Sequence, residues 1–303
     1  MRKLLIMLMV LVLVVLPSAL FAQGKTFGAT FMSMNNAHFQ TINAGLKAAI
    51  EARGDKLITL DPDFDSAKQQ QQLEDFIQEH IDGLFISPVD GTAIMPALTE
   101  VRDAGIPIIV IDAHPKDESV VNGLVSANNF DAGYQAGLTL AKALNHKGKV
   151  GFIDYYIPDV TVLARGNGFR KALSENPGIK LVVTQTGKGS VDSALPIMEN
   201  ILQSDPDIDG MFCINDPTAA GAISAIEGAR KKVLVSSVDG SQDAMRLIKS
   251  GKQLSTSSQN PKIMGSTAVV QMYKVLAGQK IEHYVEVAIT LIDAKNVDKY
   301  FGK

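Results

Sequence analysis

The sequence predicts an α/β protein built as two similar lobes, each a parallel sheet covered by helices, with a cleft between them. Apolar, strand-like runs alternate with helical stretches over nearly the whole chain, which is the pattern of βαβ units. The strand-like runs are nearly continuous in apolar residues, as expected when helices cover both faces of a sheet. The units are too many for one sheet, and no Pro/Gly/Ser-rich linker marks a boundary. Two lobes joined through short hinge segments satisfy both observations.

Element by element, strands are expected at 26–32, 57–61, 83–87, 106–111 and 124–126. The helices between them fall at 39–53, 66–80 and 93–104. There apolar residues recur at three and four positions, as in Phe76, Ile77 and Ile81 or Ile94, Leu98 and Val101. Gly54, Gly83 and Gly105 punctuate helix ends or the turns after them. The second half repeats the theme, with strands at 150–154, 181–186, 210–214, 233–238 and 254–258. Its helices are expected at 129–145, 162–173, 191–202, 218–227 and 242–249. A long helix at 261–276 then precedes a last strand at 284–289.

The first residues read as a secretory signal peptide. Met1-Arg2-Lys3 is a positive start, 4–16 is an unbroken apolar run, and Pro17-Ser18 leads to a small-residue end at Ala22. Cleavage is expected after Ala22. The alternative, a membrane anchor, needs about 20 apolar residues, more than this run supplies. Cys213 is the single cysteine, so no internal disulfide forms, and its apolar strand marks it as a small buried residue. With no cysteine at the cleavage site, a lipid anchor there is excluded, and a location between two bacterial membranes fits.

The chain has 303 residues, 46% hydrophobic and 20% charged, with net charge −3. That balance and the lack of long charged runs give no footprint for nucleic acid. The sequence carries no G-x-S-x-G elbow, H-E-x-x-H helix or P-loop. The five histidines lack metal-ligand spacing. No cofactor is implied, and an enzyme is not expected, although Asp112 and Asp239 resemble the carboxylate pair of a sugar hydrolase. A sugar-responsive repressor would carry a basic helix-turn-helix where the export signal stands.

The strand ends carry the functional signal. Residues 28–34 run into Asn35-Asn36, 106–111 into Asp112, 210–214 into Asn215-Asp216, 233–238 into Asp239, and 254–258 into Gln259. Ligands of open parallel sheets bind outside the carboxyl ends of the strands. Planar Asp, Asn and Gln groups there suit a polyhydroxylated molecule, because each buried hydroxyl needs a partner. Other readings stand beside this one. Asn36 and Asn215 can cap helices, Asp239 can serve a turn with Gly240, Arg165 can be a surface charge, and Phe39 can be core.

On these residues the chain resembles the sugar-binding proteins of bacterial ABC importers, of the ribose/galactose type (type I periplasmic binding proteins). The resemblance covers almost all of the chain after Ala22. It is carried by Met34-Asn35-Asn36-Ala37-His38-Phe39, by 106–112, by Ala164-Arg165-Gly166-Asn167-Gly168-Phe169, by Asn215-Asp216, by Val238-Asp239-Gly240 and by Gln259-Asn260-Pro261. It implies two doubly wound lobes joined by a three-segment hinge, with ligand enclosed between them. The first lobe would span 25–126 plus 260–287, and the second 127–259 plus 288–303. Asn36, His38, Phe39 and Asp112 would face the ligand from the first lobe, Arg165, Asn215 and Asp239 from the second, and Gln259 from the hinge.

The implied partners are a small sugar or polyol, a membrane permease with a separate ATPase, and a chemoreceptor as a further possibility. The protein itself would act as a monomer. Three departures from the ribose pattern stand out. Ala113 replaces an arginine, His38 replaces an aromatic ring, and Gly187-Lys188-Gly189-Ser190 replaces an aromatic loop. They favour another sugar, a linear polyol or a cyclitol, with Tyr155 or Tyr156 as a replacement stacking face.

Overall fold

The computed structural model describes residues 24–156 and 160–302; the expected export signal lies outside the described residues. Two six-stranded sheets organise the chain. The first half gives strands β1 (Thr26–Thr30), β2 (Lys56–Leu60), β3 (Gly83–Ile86), β4 (Ile108–Ile111) and β5 (Gly123–Ala127). Between them lie helices α1 (Ala37–Glu51), α2 (Ser66–Gln78) and α3 (Met95–Asp103). The second half gives α4 (Asn129–Ala143), β6 (Gly148–Tyr155), α5 (Val160–Ser174), β7 (Ile179–Gly187) and α6 (Val191–Ser204). It continues with β8 (Gly210–Cys213), α7 (Asp216–Gly228), β9 (Leu234–Asp239), α8 (Gln242–Lys249) and β10 (Ser255–Ser258). The chain closes with α9 (Pro261–Leu276), β11 (Tyr284–Val287) and β12 (Thr290–Asp293).

The first sheet runs β11-β5-β4-β3-β1-β2 and is parallel throughout. The second runs β12-β10-β9-β8-β6-β7, parallel except for β12, which pairs antiparallel with β10. In each sheet the strand order reverses beside the first strand, at β1 and β6, and a crevice opens outside the strand carboxyl ends at such a reversal. Both sheets are covered on two faces. Phe27, Ile42, Leu46, Met264 and Met272 fill one side of the first, and Leu73, Phe76, Leu84 and Leu98 the other. Phe152, Phe169 and Phe212 stack at the centre of one side of the second, with Met198, Met211 and Ile223 on its reverse.

The chain passes between the sheets three times, after β5, β10 and β11. Two asparagines lace these passages together. Asn260 donates from Nδ2 to the Ala288 carbonyl at 2.7 Å and to Thr290 Oγ1 at 3.1 Å. Asn128 donates from its backbone N–H to the Val287 carbonyl and from Nδ2 to Glu286 Oε1. Asn260 sits at φ 53°, a left-handed conformation that Asn tolerates better than most residues.

Three details differ from the sequence expectation. The strand expected over 284–289 stops at Val287, and after the third passage β12, which was not expected, joins the other sheet; with four residues and only Ile292 buried it shows no clear period. Strand β10 is Ser-Thr-Ser-Ser, fully buried yet polar; the hydroxyls of Ser255, Thr256 and Ser258 bond to protein neighbours instead of to water. Strand β7 is a largely exposed edge, so its apolar run does not mark two covered faces. Cys213 is buried as expected, and burial pushes its thiol pKa far up, leaving it inert.

Candidate functional site

The nine residues singled out from sequence all line one cavity of about 110 Å³ between the two sheets: Asn36, His38, Phe39, Asp112, Tyr155, Arg165, Asn215, Asp239 and Gln259. This volume lies well below the roughly 300–1,000 Å³ of drug-sized pockets, so it suits one small ring and not a chain of several. A larger hollow of about 530 Å³, lined by Glu227, Lys231, Lys232 and Lys252, opens at the opposite end of the second lobe. Of its charged groups, Lys252 pairs with Glu227 and Lys231 donates to the Pro206 carbonyl. It offers no convergent set of buried polar atoms.

From the first lobe, Asn36 ends the β1 loop and caps α1, accepting the His38 N–H at 2.9 Å. Asn36 therefore caps the helix and lines the cavity at once. Phe39 stacks on Phe31 at 5.9 Å and meets the His38 ring edge-on at 5.4 Å, so it too is core and wall at once. Asp112 follows β4 at φ 72°, a strained conformation for a residue without glycine's freedom. His38 Nε2 lies 3.5 Å from Asp112 Oδ2, too long for a good hydrogen bond but close for a charge contact. Both His38 nitrogens, Asp112 Oδ1 and Gln259 Oε1 are buried with no hydrogen-bond partner in the protein.

From the second lobe, Arg165 is held in α5 by close helix packing. A Cβ at Gly133 of α4 would strike the Arg165 carbonyl, and one at Gly168 would strike that of Phe130, so only glycine lets the two helices meet here. The guanidinium is buried and fixed. Nε and Nη2 donate to Asn129 Oδ1 at 3.1 and 2.7 Å, Nη1 donates to the Ile214 carbonyl at 2.8 Å, and Nη1 stands 3.8 Å from Asp239 Oδ1. Asp239, at φ 130°, accepts Gln259 Nε2 at 2.9 Å. Asn215 caps α7 through Oδ1 and donates from Nδ2 to the Gly189 carbonyl at 3.0 Å. Tyr155 lines the cavity, whereas Tyr156 is 55% exposed and is not part of the lining.

Sequence reasoning assigned no site role to Phe64 or Gly189 in the lining, nor to Asn129 behind it. Phe64 stands at the rim, 53% exposed, and Asp63 and Phe64 both adopt left-handed φ, fixed by the Phe64 N–H donating to the Met32 carbonyl. Its signal was an isolated phenylalanine in the polar loop Asp61–Asp65, which no periodicity explains. Gly189, at φ 69°, lets the loop after β7 pass against Tyr155; a Cβ there would sit 2.9 Å from that ring. Asn129, which orients Arg165, was readable only as a helix start.

The charges divide into two groups. Burial opposes protonation of His38, but the adjacent Asp112 carboxylate outweighs it, with a smaller pull from Asp239, and the imidazole pKa rises. Burial works against the Asp112 charge, yet His38, with Arg165 and His114 farther off, holds its pKa below the usual carboxylate value. Asp239 goes the other way: burial raises its pKa despite Arg165 and His38.

Beneath the cavity Asp216 accepts bonds from Ser237 Oγ, Thr256 Oγ1 and the Ser241 N–H. Burial, then repulsion from Asp239, push its pKa up to about 6. A carboxyl pKa raised on folding contributes stability that is fully present below the unfolded value and lost as pH climbs through the folded one. Relative to an Asp216→Asn protein, the wild type is therefore expected to lose melting temperature between about pH 4 and pH 6. A constant offset between the two melting curves over that range would contradict this placement of the proton.

A fold of two doubly wound lobes with polar groups converging from both on one buried space defines a two-lobed binding protein. The chain belongs to the periplasmic binding protein domain family, whose sequence pattern matches residues 27–280. It is 31% identical over 266 residues to the ribose import binding protein RbsB of Bacillus subtilis (strain 168), covering 88% of this chain and 86% of that protein. Among solved structures it is similar to an ABC transporter periplasmic solute binding protein from Actinobacillus succinogenes 130z with bound D-allose. That likeness has a TM-score of 0.87 at 28% identity, over 91% of this chain and all of that one. A solute binding protein from Bacillus halodurans C-125 with bound myo-inositol matches with a TM-score of 0.84 at 27% identity, over 91% and 96% of the two chains.

Proposed function

We propose that this protein is the periplasmic solute-binding component of an ABC importer and that it encloses one small sugar or polyol between its lobes. The observation that carries this reading is a set of buried polar groups meeting in one cavity from three sides: both His38 nitrogens, Asp112 Oδ1 and Gln259 Oε1, which have no protein partner, beside the Arg165–Asp239 pair. Hydroxyl groups satisfy such atoms, and burying them unpaired is costly. Apolar faces at Phe39, Phe64 and Tyr155 match the C–H faces of a sugar ring. Relatives that carry ribose, D-allose or myo-inositol in their names support the ligand class.

In this reading the lobes comprise 25–126 plus 260–287 and 127–259 plus 288–303. They rotate about the three passages that Asn128 and Asn260 lace together. Contacts to both lobes exist only when the cleft is shut, so ligand shifts the equilibrium toward closure. The permease then distinguishes loaded from empty protein by shape, and a separate ATPase drives import. Asp112 and Asp239 accept hydroxyl hydrogens and take no part in bond cleavage. The protein works in the periplasm after removal of residues 1–22.

A thermal-shift screen against pentoses, hexoses, deoxy sugars, polyols and inositols tests the assignment. A ligand at 100 times its Kd is expected to add about 2.7 kcal/mol of stability, and no shift across the panel would overturn the reading. Phe64→Ala is expected to weaken the best ligand by roughly 3- to 10-fold, as for loss of about 0.5–1.5 kcal/mol of ring contact. The unliganded melting point should barely move, because the ring is exposed. Unchanged affinity would show that the rim ring does not touch the ligand.

A further inference from the structure

We propose that His38 grips the ligand as an imidazolium, so that sugar capture is coupled to proton uptake and weakens in alkaline solution. The inference rests on the sugar-binding reading above and assigns the group that makes the site pH-sensitive.

The geometry isolates one titratable cation. His38 lies in the first turn of α1 and is 8% exposed, with neither ring nitrogen satisfied by the protein. An ordinary buried histidine donates one nitrogen to a carbonyl or carboxylate, which fixes its tautomer. Here the nearest acceptor is Asp112 Oδ2 at 3.5 Å, and the other oxygen of that carboxylate is itself buried without a partner. Ala113 places no cation beside Asp112, so His38 is the nearest positive group available to it.

The charged groups facing His38 are Asp112 from the end of β4, Asp239 from the end of β9 and Arg165 from α5. Lys188, in the loop after β7, lines the same cavity. Lys188 is exposed, so in the buried part of the site two carboxylates face one fixed guanidinium, and His38 is the group in charge contact with Asp112. The direction of its pKa, upward against burial, agrees.

An imidazolium has two N–H donors and no acceptor. One is available to Asp112 and the other to a ligand hydroxyl oxygen. A ligand oxygen between His38 and Asp112 replaces the long contact with two short bonds, and bonds to a charged donor are the stronger kind. The bound complex therefore favours the cation more than the free protein does. Between the two pKa values, binding draws a proton from solution onto a ring nitrogen of His38. Above both, the imidazole is neutral, and one of its two donors is lost.

Calorimetric titrations with D-ribose, D-allose, xylitol and myo-inositol from about pH 6 to pH 9, each in two buffers of different ionisation enthalpy, test this. The ligand that binds is expected to lose about tenfold in affinity across that range. Its binding heat is expected to differ between buffers by an amount that reports net proton uptake. His38→Gln, which keeps a donor but cannot titrate, is expected to bind with a flat pH profile and no buffer dependence. The wild-type data decide the matter even if that variant fails to fold. Binding whose affinity and heat ignore pH and buffer would overturn the role of His38 and leave the sugar-binding reading intact. Binding of none of the four, nor of any sugar, polyol or inositol of the thermal panel, at any pH would overturn both.

Discussion

Replacing Arg165 with methionine is expected to abolish sugar binding and also to destabilise the empty protein. The guanidinium is buried, and its three hydrogen bonds to Asn129 and the Ile214 carbonyl leave it one conformation. Methionine fills much of the volume but satisfies none of these acceptors. Removing one member of a buried charge pair costs about 3–5 kcal/mol, because the other is left uncompensated. Asp239 is already inclined to hold a proton, since burial raises its pKa, so it can neutralise itself and keep the cost near the lower end. Chemical denaturation of the empty protein and titration with ligand give the two numbers separately. A variant of wild-type stability would contradict the placement of Arg165 as a buried, structurally committed cation.

Asp112→Asn is the complementary case, with a large effect on binding and a small one on folding. Asparagine has the same shape and tolerates the left-handed backbone at φ 72°. The Asp112 side chain has one oxygen without any protein partner and another only in long contact with His38, so little folding energy rests on it. In the proposed complex its charge accepts hydroxyl hydrogens of the ligand. Losing a charged acceptor costs roughly 1.5–3 kcal/mol, which corresponds to about 10- to 150-fold in Kd. A melting point within a few degrees of wild type together with that loss of affinity is expected. Affinity within twofold of wild type would remove Asp112 from the ligand.

The contrast between these residues shows what a sequence can and cannot say about such a site. Asp112 was legible because an acid ends a run of four buried aliphatic residues, where a core position would be apolar. Asp239, Asn215 and Gln259 were legible for the same reason, as polar residues at the carboxyl ends of strands. The capping role of Asn215 was legible too, since its partner Thr218 is three residues on, but the long-range bonds were not, because those partners come from distant stretches: Gly189 for Asn215, and Asp239 for Gln259. Asn129 escaped notice because a helix-starting Asn is ordinary, and its bond to Arg165 depends on two glycines that bring α4 and α5 together.

The fold was read from alternation of strands and helices, which is local. It held for β10, expected at 254–258 and found at Ser255–Ser258 despite its polar composition, and it missed β12. Strand β10 is written in serine and threonine, and its burial depends on Asp216 and on the neighbouring strand for hydroxyl partners. Strand β12 is four residues, three of them half-buried, whose partner lies in the second sheet, so only the third passage between lobes reveals it. Phe64 needed the turn geometry of its loop, since nothing in a single exposed phenylalanine says which way it faces.

The account depends on one ligand touching both lobes at once. Spin labels on cysteines introduced at Lys68 in α2 and Asp192 in α6, both exposed and at the cleft ends of their helices, report the distance across the mouth. The buried Cys213 should stay unlabelled. Pulsed electron resonance is expected to show a broad distance distribution without sugar and a shorter, narrower one when the ligand from the thermal screen is added. A sugar that binds tightly and leaves that distribution unchanged would contradict enclosure between the lobes.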